Sequence, residues 1–213
     1  GDRMSLYQWR PWRGPSFHQG ELDMALDITA LDITVDESTG LTDNDVDKTV
    51  APYSTDPTVQ YLLSLDTSGG LSSPEVAYMA DFITATATGG DSFSSVSLTQ
   101  SLSGTPFSTT VGVNSGIQTV DGNYVWLFLD SSNSNVVRGV IGTSNPATAP
   151  AAGGALAFSF ALTNTNTTTP DLYLVQYVAL SHPDTNSVDE RIDLTNKVFA
   201  TLSATTTVSF SGA

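Results

Sequence analysis

Asp43, Asp45 and Asp47 stand at alternate positions of LTDNDVDK, three carboxylates within five residues. Hard divalent cations take oxygen ligands, so this spacing marks a candidate calcium loop. A helix-flanked calcium loop needs glycine after its third ligand and glutamate at its twelfth position. Lys48 and Ser54 hold those places, so that particular motif is absent. Two further acidic groups are Asp36 and Glu37 in VDES (35–38), and Asp184, Asp189 and Glu190 in HPDTNSVDE (182–190). If strand ends bring these groups together, they complete a structural calcium site. Taken singly, each reads as a solvated turn. Both readings stand at the level of sequence.

Other chemistry is sparse. His18 and His182 are the only histidines, and no nucleophile elbow, HExxH or phosphate loop occurs. No pair of carboxylates is marked for glycoside hydrolysis. The chain is therefore expected not to be an enzyme. It has no cysteine, which removes disulfides, zinc–thiolate sites and thiol nucleophiles. Lys48 and Lys197 are candidates for an isopeptide crosslink to an asparagine, although no motif supports one. Tyr124, Trp126 and Phe128 share one parity, and form either a core row or a sugar-stacking platform.

The elements that must position these residues are strands. Ser and Thr number 55 of 213 residues, and charged residues make up 14%. That composition favours sheet over helix. Alternating or continuous apolar runs mark strands at TVQYLLSLD (58–66), VAYMADFITATAT (76–88), SVSLTQSLS (95–103), YVWLFLD (124–130), NVVRGVIG (135–142), ALAFSFALT (155–163), DLYLVQYVAL (171–180) and VFATLSATTTVSFSG (198–212). YVWLFLD, apolar on both faces, is expected to be central and to pair with NVVRGVIG. No long helical pattern occurs, and a short helical turn is possible at HPDTNSVDE (182–190). The fold expected is an all-β antiparallel sandwich of Ig-like or Greek-key type, with about eight to ten strands and an N-terminal extended arm.

Net charge is −15. Such a surface repels nucleic acid and anionic lipid and attracts cations. No apolar run is long enough to span a bilayer and no N-terminal signal peptide is visible, so if the protein is exported, either the signal lies elsewhere or this is a fragment of a longer chain. The first 20 residues differ from the rest, with Arg3, Arg10 and Arg13 against Asp2 alone. The remainder carries four bases and 21 acids, a net of −17. Trp9, Arg10, Trp12, Arg13 and Phe17 in this segment are candidates for contact with a partner.

Residues 26–35 read LDITA and then LDITV. Each copy alternates like a half-buried strand, but a repeat of five flips the apolar face between copies. Either the chain bends near Ala30 and Leu31, or the first copy belongs to a leading arm. We favour the second, with an arm at 1–30 and a β-sandwich domain at 31–213. Leu26 and Ile28 would then pair on an edge of the chain's own sheet or on a neighbouring molecule.

Five stretches together carry a family resemblance: VDES (35–38), LTDNDVD (41–47), SVSLTQSLSGTPF (95–107), YVWLFLDSSNSNVVRGVIG (124–142) and LYLVQYVALSHPDTNSVDERIDLTN (172–196). They resemble a repeat domain of unknown function found in giant type I-secreted bacterial proteins of the RTX class, over about residues 31–213. The resemblance implies a secreted or surface-bound β-rich module of adhesins and biofilm matrices, with no catalytic residues and with calcium as a structural cofactor. The glycine-rich nonapeptide calcium repeat is absent, and the chain ends in TVSFSGA rather than an acidic linker. The expected protein is an extracellular structural or adhesion subunit that partners itself or other matrix proteins. A glycan-binding module is the alternative.

Overall fold

The computed structural model describes residues 26–30, 44–87, 91–181, 194 and 196–206. Among the described residues, ten strands occupy Leu26–Ala30 (β1), Glu75–Met79 (β2), Ile83–Ala87 (β3), Asp91–Thr99 (β4), Val113–Gln118 (β5), Tyr124–Leu129 (β6), Val136–Ile141 (β7), Leu156–Thr163 (β8), Asp171–Gln176 (β9) and Phe199–Thr206 (β10). An α-helix, Pro57–Ser64 (α1), follows a 3-10 turn at Tyr53–Thr55, while the helical turn expected at 182–190 lies outside the described residues. The architecture is an all-β antiparallel sandwich.

The main sheet has six strands in the order β2-β9-β8-β7-β6-β5. β5 to β9 pair in chain order, each antiparallel to the next, through connections that range from 119–123 between β5 and β6 to 142–155 between β7 and β8. β6 pairs with β7 as the sequence suggests, Val125 opposite Ile141 and Leu129 opposite Val137. β6 is an interior strand, next to the edge strand β5. Successive side chains point to opposite faces, so this sheet builds two cores. One face carries Val125, Leu127, Val137, Phe160, Leu172 and Leu174, packed with Ile83, Val96 and Leu98 of a second layer. The other carries Phe128, Val136, Val140, Tyr173, Val175 and Tyr177, packed with Val59 and Leu62 of α1.

Two elements differ from expectation. TVQYLLSLD is not a strand, since residues up to Ser64 form α1. Asp56 caps the helix, its Oδ1 accepting from the Thr58 and Val59 amides at 2.7 and 3.1 Å, and Pro57 occupies the first turn. The apolar residues suit either period, because Val59, Leu62 and Leu63 also fit i, i+3, i+4 spacing. The Asp-Pro start decides for helix. VAYMADFITATAT is likewise not one strand. It breaks after Met79, and β2 and β3 belong to different sheets. Asp81 takes a left-handed φ of 51° there, and its amide donates to Asp171 Oδ1 at 2.9 Å.

The second layer contains two ladders, β1 with β3 and β10 with β4. The β8–β9 loop bridges them: the Ala85 amide of β3 donates to Thr168 O at 2.8 Å, and the Val96 amide of β4 donates to Thr165 O at 2.9 Å. The layer therefore runs β1, β3, loop, β4, β10. LDITA pairs within its own chain, from Leu26 opposite Ala87 to Ala30 opposite Ile83. Among the described residues no helix is long and apolar enough to cross a membrane.

Candidate functional site

Polar side chains inside an apolar sheet must find partners or cost stability. Here they tie α1 to the main sheet. Asp130, 5% exposed at the end of β6, accepts from the Tyr61 hydroxyl at 2.6 Å and from the Ser132 and Asn133 amides at 2.9 Å. Arg138 of β7 holds its Nε 3.7 Å from Asp130 Oδ1, an ion-pair distance too long for a hydrogen bond. Tyr177, fully buried, donates to Leu62 O of α1 at 2.7 Å and shares a 2.5 Å hydrogen bond with Ser159 of β8. At the helix start the Tyr173 hydroxyl donates to Asp56 Oδ2 at 2.8 Å. Burial is the main force pushing all these phenols upward, and the neighbouring carboxylates add to it for Tyr61 and Tyr173. Tyr78, packed 4.7 Å from Tyr173, is pushed up to about 12 by burial and then by Asp171.

These groups are consumed by one another. Ser159 shares its hydroxyl with the Tyr177 phenol, and Asp130 holds three donors and a guanidinium. The network is a set of struts, holding a short helix on a sheet. Sequence reasoning did not single it out. The signals were Asp56-Pro57 as a helix start, and the polar intruders Arg138 and Ser159 within VVRGV and AFSFAL.

Of the candidate cation ligands, Asp45 and Asp47 are described. Asp45 forms an isolated bridge with Ala77 of β2. Asp47 is spent on a turn, its Oδ1 accepting the Thr49 amide at 2.8 Å and the Thr49 hydroxyl at 2.6 Å, which lowers its pKa. Among the described residues no group of three or more acidic or imidazole side chains could hold a metal ion. Asp36, Glu37, Asp43, Asp184, Asp189 and Glu190 lie outside the described residues, as do Trp9, Arg10, Trp12, Arg13 and Phe17. Lys48 donates to Pro74 O, not to an asparagine.

The aromatic row is divided, with Phe128 in the core and Tyr124 and Trp126 only half-buried. Phe128 is fully buried and Trp126 packs at the margin of the same cluster. The Trp126 indole lies over Gly142, where a Cβ would stand 3.1 Å from Nε1.

On the main sheet the edge strand β2 and the end of β5 are covered. Against β2, the Val46 amide donates to Val76 O and the Tyr78 amide to Asn44 O, each at 2.9 Å. Against the end of β5, the Ser181 amide donates to Gln118 O at 2.8 Å and the Val120 amide to Ala179 O at 3.2 Å. β5 is also irregular at Gly116, whose φ is 80°. On the second layer, β1 and β10 each pair on one side only among the described residues. Leu26 and Ile28 are thus placed on an edge strand, opposite Ala87 and Ala85.

Residues 32–208 match the model of a family described as Domain of unknown function (DUF5801), and the chain belongs to that family. No curated protein and no solved structure matches it. The matched stretch begins just after β1, so the strand that ends the second layer stands outside the family domain.

Proposed function

We propose that the protein is a non-enzymatic structural or adhesion subunit of a bacterial surface or biofilm matrix, exported by type I secretion like the RTX-class proteins that its motifs resemble. It assembles through its N-terminal leading strand. The observation that carries this reading is β1: a strand from outside the family domain completes a layer of the sandwich by backbone pairing. Strand addition of this kind satisfies a row of backbone groups and needs little side-chain specificity, which suits assembly. The polar network supports the reading too, since its groups are committed to holding elements together. The −15 charge favours a saline, cation-rich setting outside the cell. Calcium enters as the stabilising ion, through those candidate acids that lie outside the described residues. Phe128, buried in the core, is withdrawn from the aromatic row that the glycan-binding alternative would use.

The test is the assembly state of the purified chain, by light scattering and negative-stain imaging, in calcium and in chelator. A chain beginning at Leu31 is measured beside it. Polymers that need residues 1–30 are expected, with a higher melting temperature in calcium. A monomer under every condition would overturn the assembly reading.

A further inference from the structure

Among the described residues, tyrosine rings meet one another in one place, beside the start of α1. Tyr78 of β2 stands directly opposite Tyr173 of β9 in their antiparallel ladder. The two ring centroids are 4.7 Å apart, with the planes inclined at 40°. Tyr53, in the 3-10 turn before the helix, lies 5.7 Å from Tyr78. Cross-strand aromatic pairs stabilise a sheet by packing alone. Packing does not require what surrounds this pair: each phenol has a carboxylate at hand. The Tyr173 hydroxyl donates to Asp56 Oδ2 at 2.8 Å, and Asp171 lies beside the Tyr78 phenol.

We infer that Tyr78 and Tyr173 form an oxidative cross-linking site, where a one-electron oxidant of the peroxidase class joins the two rings within one chain. Each phenol gives one electron to the oxidant and its hydroxyl proton to the neighbouring carboxylate. The two phenoxyl radicals then pair, and one carbon–carbon bond forms between their ortho carbons. Each coupled carbon releases its proton, the rings regain aromaticity, and both oxygens end as hydroxyls. With hydrogen peroxide as the electron acceptor, two tyrosines and one peroxide give one bityrosine and two waters.

Three observations carry it. The first is proximity, since the β2–β9 ladder holds the rings together before any oxidation and coupling need not wait for diffusion. The second is the base. A phenol that loses an electron becomes strongly acidic, and Asp56 Oδ2 already receives its hydrogen bond, while Oδ1 is occupied by the helix cap. The third is access. Tyr173 is buried, but Tyr78 and Tyr53 are only half-buried, so the pair meets solvent through Tyr78. The chain has no cysteine, so no disulfide can fasten β2. This bond would tie the edge strand β2 to β9 and close a loop of roughly 100 residues, as a disulfide does in other proteins.

The test treats the full chain with tris(bipyridine)ruthenium(III), generated by light in persulfate, a one-electron oxidant that urea does not inactivate. The single-chain band from a denaturing gel is digested and mapped by mass spectrometry. A linked pair of peptides carrying Tyr78 and Tyr173, short of two hydrogens, is expected together with bityrosine fluorescence. Tyr78→Phe and Tyr173→Phe should each abolish that link, whereas Tyr53→Phe should keep it. Oxidation of the chain unfolded in urea should lower its yield at least about tenfold, because the ladder no longer sets the rings together. A chain without the Tyr78–Tyr173 link, a Tyr53–Tyr78 link in its place, or equal yields with and without urea overturns the inference. Each of these outcomes is read within one chain, whatever its assembly state.

Discussion

Asp130 shows how much one buried carboxylate can hold. It faces a guanidinium, a phenol and two amides at the end of a central hairpin. Removing it leaves Arg138 without its ion-pair partner and Tyr61 without an acceptor. Asp130→Ala should cost about 3–5 kcal/mol of stability in urea unfolding. A loss under about 1 kcal/mol would show that solvent reaches the pair. Tyr78 makes a different prediction. Its folded pKa is raised, so its contribution is complete below the unfolded value near 10 and is lost as pH climbs through about 12. Unfolding midpoints should fall between pH 10 and 12, and Tyr78→Phe should fall less steeply. Equal slopes for the two chains would remove Tyr78 from the account.

At the scale of elements, α1 is too short to persist alone, since helices under a dozen residues are marginal in water. It exists because Asp56 caps it, Val59 and Leu62 bury against the sheet, and phenols of β9 and of Tyr177 hold both its ends. Asp56→Ala should cost about 1–2 kcal/mol through the lost cap. Tyr173→Phe should cost less. The double variant should cost less than the sum, because both remove the same 2.8 Å hydrogen bond. Strict additivity in denaturant titrations would mean the bond contributes nothing.

For the molecule as a whole, charge opposes assembly. The basic excess of the first 20 residues is small beside the net −17 of the remainder, so repulsion between copies exceeds the attraction of one copy's N-terminal segment for the next. Raising salt from about 0.01 to about 0.1 M shortens the screening length from about 30 to about 10 Å. The concentration needed for assembly should therefore fall over that range, as followed by light scattering. A rise instead would assign control to contacts between the basic segment and an acidic neighbour.

Much of the β-architecture could be read from the sequence, because period-two patterns and turn residues are local. YVWLFLD and NVVRGVIG, ALAFSFALT and DLYLVQYVAL needed only alternation, apolar runs and Asn, Ser or Pro turns to be placed as strands. Composition excluded thiol chemistry outright. The helix at 57–64 was legible only through its cap, since its apolar residues fit both periods. What the tertiary structure alone decided is which strands share a sheet. The left-handed residue Asp81, fastened to Asp171 across 90 residues, sends β2 and β3 to different layers. A loop bridging β3 and β4 builds one layer from two ladders. The odd repeat LDITALDITV poses the question of its own flipped parity but cannot answer it. Pairing is a contact between segments far apart in the chain, and β3 supplies the partner of the first copy more than 50 residues downstream.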